Sequence, residues 1–233
     1  MLDGAKQFIS GAGASDLYLT MARTGGEGPG GISALLIPKD TPGLSFGKNE
    51  HKMGWNAQPT RQVILEGARV PASALLGEEG QGFRFAMAGL DGGRLNIAAC
   101  ALGGAQDALD KALAYVQERQ AFGRPVAEFQ NTQFRLADMR TELEAARALL
   151  WRACAKLDAG AADATAFCAM AKRFVTDTAH RVADEALQLL GGYGYLHEYG
   201  IEKIVRDLRV HRILEGTNEI MRVIVARHML GRR

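Results

Sequence analysis

The chain has 233 residues, 47% of them hydrophobic and 23% charged, with a formal net charge of +2. That balance fits a soluble globular protein of one large or two modest domains able to bury a core. It supplies no strong field of the kind that binding to nucleic acid or an acidic membrane requires.

The amino-terminal stretch has neither a basic n-region nor an apolar h-region, and no uncharged run is long enough to span a bilayer. The expected setting is therefore intracellular, the cytoplasm of a bacterium or the mitochondrial matrix of a eukaryote. Up to about Gly82 the chain is rich in glycine and proline, and short runs read as strands: Gln7–Ser10, Leu17–Ala22, Ile32–Ile37 and Arg61–Glu66. Turn formers separate them, among them Gly11-Ala12-Gly13 and Pro38-Lys39-Asp40-Thr41-Pro42-Gly43. These strands suggest a small antiparallel barrel or sandwich.

From Phe83 the period becomes helical. Phe83 to about Arg119 reads as one long helix, with Gly92-Gly93 marking a place where it could break. Asn131 or Thr132 caps a second helix running to about Leu157. Asp163 caps a third that runs to Leu190 and stops at Gly191-Gly192. A short helix near Ile201–Val210 and a last one from Thr217 to Leu230 follow. Phe134, Met139, Leu143, Leu149 and Leu150 mark the apolar face of the second helix, so the helices are expected to pack as a bundle. Strands first and helices afterwards give an α+β chain, with an antiparallel β domain over residues 1–82 and a helical bundle over 83–233, and argue against a parallel-sheet nucleotide fold.

Cys100, Cys154 and Cys168 are too few and too far apart for a disulfide framework or a zinc site, and read as small buried hydrophobes. The five histidines show no metal-ligand spacing and read as surface or packing groups, so no metal is expected.

The densest chemistry lies in the run from Arg206 to Arg222. It sets Glu215 between the apolar pair Ile213-Leu214 and the helix start Gly216-Thr217-Asn218-Glu219. Apolar neighbours disfavour the charged form of a carboxylate and so make it a better base at working pH. A helix N-terminus beside it offers free N–H groups to an anion. Base and anion site side by side suit proton abstraction next to a carbonyl. Thr217 is also a plain N-cap. Arg119 ends the first long helix and is placed either to clamp a phosphate or to complement the helix dipole. Asp91 and Arg94, three residues apart on a helix, can pair.

Four ordered motifs carry a family resemblance: Gly89-Leu90-Asp91-Gly92-Gly93-Arg94, Glu118-Arg119-Gln120-Ala121-Phe122-Gly123, Gln188-Leu189-Leu190-Gly191-Gly192-Tyr193-Gly194-Tyr195, and the Glu215 run. With them the second half resembles the acyl-CoA dehydrogenases along its whole length. The first half looks like later strands of that family's middle β domain, through Gly4–Ala12, Lys52-Met53-Gly54-Trp55 and Val70-Pro71. The resemblance implies a four-helix-bundle C-terminal domain, FAD as cofactor, and Glu215 removing the α-proton of an acyl-CoA thioester while hydride passes to flavin N5. It implies that Arg119, Phe122 and Gln130 contact the ADP part of FAD. The turn at Gln188, Gly191 and Gly192 would face the FAD of a neighbouring subunit, in a homo-oligomer of two or four chains. Phe8, Ile9 and Ser10 would cover the flavin ring, with Phe8 where the family usually has Trp, and Thr217, Asn218 and Glu219 would also contact FAD. Asp91, Gly92, Gly93, Arg94 and Gly216 would meet the acyl-CoA, whose chain is short or branched by the wording of these motifs. Electron-transfer flavoprotein is the implied acceptor, with an oxidase as the nearest rival chemistry. Against the family pattern this sequence lacks the N-terminal helical domain and the earlier strands with their flavin loop. The alternative role is therefore a non-catalytic or partner-completed subunit acting through the bundle interface.

Overall fold

The computed structural model describes residues 1–231. The chain forms two compact units, Met1–Gly89 and Leu90 onward, and the boundary falls inside a single long helix.

The first unit holds two three-stranded antiparallel sheets. One has the order β1 (Leu2–Ser10), β5 (Thr60–Ala68), β4 (Leu44–Phe46); the other has β2 (Leu17–Arg23), β3 (Ile32–Pro38), β6 (Leu75–Leu76). Both contribute to one core of Tyr18, Leu35, Ile37, Val63, Leu65 and Ala68, so of the barrel and the sandwich that the alternating runs allow, the chain forms the sandwich. β1 is longer than its sequence advertises because Asp3, Gly4, Ala5 and Lys6 carry no inward apolar residue; backbone pairing with Ala68, Leu65, Ile64 and Val63 of β5 holds it. Its register slips between Lys6 and Ile9. Phe8 sits inside that slip with φ 55 and points to solvent. Bulges of this kind re-aim a side chain.

The second unit is helical: α1 (Gly82–Glu118, entering from the first unit), α2 (Gln130–Asp158), α3 (Ala164–Leu190), α4 (Ile201–Arg209) and α5 (Asn218–Met229). A two-residue hairpin, β7 (Gln120–Ala121) with β8 (Arg124–Pro125), separates α1 from α2. α3 is buried on nearly every side, through Cys168, Ala171, Val175, Ala179, Val182, Ala183, Ala186 and Leu190, and occupies the centre of the unit. α1 meets the core with Ala98, Ala101, Ala105, Ala108 and Ala112, small side chains that let helices approach closely.

Several local expectations are corrected. α1 runs unbroken through Gly92-Gly93, since two glycines weaken a helix without removing a hydrogen bond. Phe134 is 59% exposed, because the buried stripe of α2 is Thr132, Met139, Leu143, Ala146, Leu150 and Ala153 and position 134 falls on the other side of the helix. Cys100 is exposed, off the Ala98–Ala101–Leu102 face, while Cys154 is half-buried and Cys168 buried. Asp163 precedes α3 as expected, but its carboxylate takes Lys156 at 2.7 and 2.8 Å in place of a capping bond.

His211, in the 3₁₀ turn Val210–Arg212, is buried. Burial pushes its imidazole down to about 4, helped by the Lys172 charge and opposed by Asp207; His180 is pushed down too, first by burial and next by Arg212. The folded value lies below the unfolded one, so this stability is complete above pH ~6.5 and is lost as pH falls toward 4, when only the unfolded chain takes up the proton. The loss from His211 should be on the order of 3 kcal/mol. Unfolding measured in steps from pH 7 to 4.5 should slope downward, and His211→Leu should flatten the slope; an unchanged slope contradicts the assignment.

Candidate active site

Glu215 stands in the turn between α4 and α5. Thr217 caps α5, its hydroxyl accepting the Ile220 N–H at 3.4 Å. The turn is left-handed at two consecutive residues, with φ 56 at Glu215 and φ 90 at Gly216. Glycine adopts that conformation freely, whereas a glutamate loses roughly 1–2 kcal/mol in it. A Cβ built on Gly93 would fall 2.5 Å from Oε2 and 3.1 Å from Cδ of Glu215. The carboxylate therefore rests against the α1 backbone at a place that glycine leaves open.

One turn of α1 supplies the neighbouring charges. Asp91 Oδ1 accepts from Arg94 Nη1 at 2.7 Å and Oδ2 accepts from the Thr165 hydroxyl at 2.5 Å. Arg94 is buried, so the expected i,i+3 pair exists as a desolvated one. Burial, and after it the Asp91 charge, pushes the nearby Cys168 thiol up to about 11, which keeps it protonated and unreactive. The turn is held from below by α3. Lys172 Nζ donates to Gly216 O at 2.7 Å and to Asn218 Oδ1 at 2.9 Å. Asn218 Nδ2 donates to Thr176 Oγ1 and Asp177 Oδ1, each at 3.0 Å. Arg212 Nε closes the other side on Asp177 Oδ1 at 2.9 Å.

A second group of expected residues gathers elsewhere in the helical unit. A cavity of about 410 Å³ is lined by Tyr115, Arg119, Gln188, Gly191, Gly192 and Tyr193 among others. The exposed Arg119 guanidinium lies 5.2 Å from the Tyr193 ring centre, and Tyr115, Tyr193 and Tyr199 stack in a cluster with centroids 5.2 to 6.2 Å apart. Gly191 has φ 57, and a Cβ on Gly191 or Gly192 would meet nothing within 4 Å. Phe122 stands at the hairpin tip with φ 51, 97% exposed, and Gln130 is exposed at the start of α2. In the first unit, Ile9 and Ser10 line a cavity of about 360 Å³ with Lys6, Tyr18 and Thr20.

Residues 80–230 match the family model for the acyl-CoA dehydrogenase C-terminal domain, and residues 1–68 match the model for the middle domain. The chain belongs to the acyl-CoA dehydrogenase family. It is 55% identical over 230 residues to the mitochondrial isobutyryl-CoA dehydrogenase of Dictyostelium discoideum, covering 98% of this chain and 55% of that protein. It superposes on butyryl-CoA dehydrogenase from Megasphaera elsdenii with a TM-score of 0.94 at 42% identity, covering 98% of this chain and 60% of that one. The FAD complex of PigA aligns with a TM-score of 0.93 at 33% identity, covering 97% and 59%. The chain thus spans about half the length of the curated relative, across the middle and C-terminal acyl-CoA dehydrogenase domains.

Among the residues singled out in the sequence, Gly93 and Glu215 meet directly, with Asp91 and Arg94 beside Gly93 on α1 and Gly216 adjoining Glu215. Arg119, Gln188, Gly191 and Gly192 form the second group, and Phe8, Ile9 and Ser10 lie in the other unit. The Asn218 side chain is 3% exposed and bonded throughout to α3, so its backbone is what it offers to a ligand. The donor set of the second group suits a phosphate-bearing cofactor: an open guanidinium, an amide side chain, and two glycine positions where a ligand can approach the backbone. The sequence reading missed Lys172, Thr165 and the tyrosine cluster. Lys172 was visible in principle, since it falls with Cys168, Val175 and Ala179 on the apolar face of α3 where a cation has no ordinary reason to be. Among the described residues there is no acidic, histidine or cysteine group that could hold a metal, and no helix is long and apolar enough to cross a membrane.

Proposed function

We propose that this chain carries the α,β-dehydrogenation of an acyl-CoA thioester with a short or branched acyl chain, and that Glu215 is the base. The observation supporting this is the carboxylate held against Gly93 at the mouth of helix α5. Glu215 takes the proton from the carbon next to the thioester carbonyl. The electron pair left behind is shared with the carbonyl oxygen and becomes the new C=C bond as hydride departs from the β carbon. The backbone N–H groups at the turn and at the start of α5 favour the negative charge that develops on that oxygen. FAD, when bound, supplies the hydride acceptor. Arg119, Phe122, Gln130, Gln188, Gly191 and Gly192 would hold its ADP part. Phe8, Ile9 and Ser10 would cover its ring, and Thr217, Asn218 and Glu219 would add contacts from the start of α5. Asp91, Gly92, Gly93, Arg94 and Gly216 would line the acyl-CoA. A homo-oligomer and an electron-transferring flavoprotein complete the reading.

The test is direct. Purified chain mixed with FAD should retain the flavin through gel filtration, and its absorbance should bleach on anaerobic addition of isobutyryl-CoA or butyryl-CoA. A chain that stays colourless overturns the reading for the chain alone and favours a bundle subunit that requires a partner.

A further inference from the structure

Lys172 carries the largest fully buried side chain among the described residues, with 0% exposure in the first half of α3. Nothing in the chemistry above uses it. A lysine in a core position is expensive unless its charge is engaged, and a methionine would fill the same volume without cost. Burial pulls its amine down to about 8, with Arg94 adding to the fall and the carboxylates of Asp177, Glu215 and Glu219 opposing it.

The ammonium makes two bonds, and both go to the turn that bears Glu215: Gly216 O at 2.7 Å and Asn218 Oδ1 at 2.9 Å. Gly216 O belongs to the peptide plane that follows the two left-handed residues. That plane could rotate if nothing held it, because glycine permits many conformations. One helical turn further along α3, Thr176 and Asp177 hold Asn218, and Asp177 also holds Arg212. The turn is thus anchored three residues before Glu215 and three residues after it, on the same helix.

We propose that Lys172 is the positioning residue of the site: its buried ammonium clamps the Gly216 carbonyl and the Asn218 side chain and so fixes the turn on which Glu215 is carried. The proposal rests on the reading of Glu215 as the base. The charged and titratable groups that face the lysine are Asp177 from its own helix, Arg94 from α1, Glu215 from the turn, Glu219 from α5 and His211 from the 3₁₀ turn.

Lys172→Met tests this in the full chain. Amide hydrogen exchange over residues 213–219 should accelerate about tenfold or more, the scale set by two lost charge-assisted bonds, while α2 keeps its protection. In the flavin-loaded enzyme kcat should fall about 10²-fold with KM for the acyl-CoA within about twofold of the parent. A turn that exchanges at the parent rate in Lys172→Met overturns the proposal, whatever Glu215 does. Full turnover by a Glu215→Gln control would instead overturn the reading of the base, and the exchange result would still decide the role of Lys172. If Lys172→Met does not fold, the unaltered chain decides: between pH 7 and 9.5 the Gly216 and Asn218 amide resonances should titrate together with Lys172 Nζ, and amides that stay put overturn the clamp.

Discussion

Glu215→Gln should leave the fold and any bound flavin in place and should slow reduction of the flavin by acyl-CoA by about 10²–10⁴-fold, the range for loss of a positioned base. The substitution keeps side-chain length, volume and the left-handed backbone, so stability should change little. What disappears is a group able to take a proton: an amide oxygen beside Gly93 has the same reach but almost no basicity. Anaerobic stopped-flow mixing with isobutyryl-CoA reads the step directly, and thermal unfolding checks that the fold is unchanged. Reduction at within a few-fold of the parent rate would remove Glu215 from the chemistry.

Much of the local structure around the candidate site is legible in the sequence itself. Long helices are written in repeated three- and four-residue steps, and α1, α3 and α5 begin and end within a residue or two of the expected places, whereas α2 starts at Gln130 behind Phe129, ahead of the caps expected at Asn131 or Thr132. Thr217 is the N-cap that its position before α5 implies. Asp91 and Arg94 pair as helical spacing allows. What could not be read is contact between segments distant in the chain. Gly93 lies against Glu215, 122 positions later in the numbering, and Lys172 bonds Gly216 across 44 residues; no local period encodes either. The first half of β1 was missed for a related reason, because its place is fixed by backbone pairing with β5 and not by its own side chains.

Gly93→Ala should separate activity from stability in opposite directions. In a helix, alanine is favoured over glycine by roughly 0.5–1 kcal/mol, so Tm should stay level or rise. The new methyl group would stand 2.5 Å from Glu215 Oε2, inside any tolerable contact. The side chain tip is free to swing, so the helix wins and the carboxylate moves. A displacement near 1 Å at a reacting group is worth about 10²-fold in rate, and kcat should fall by that order with flavin content unchanged. A variant with parental kcat and an undisturbed Tm would mean that the carboxylate has room to spare, and the close seat of Glu215 on α1 would lose its significance.

The backbone at position 215 has one more consequence. It sits in a geometry where an achiral residue would rest more comfortably, and the strain is borne by the very residue assigned the chemistry. A mutant library screened only for heat resistance should therefore enrich glycine at 215 and return robust, inert protein. Engineers of this scaffold would have to select for turnover at every round to keep the acid.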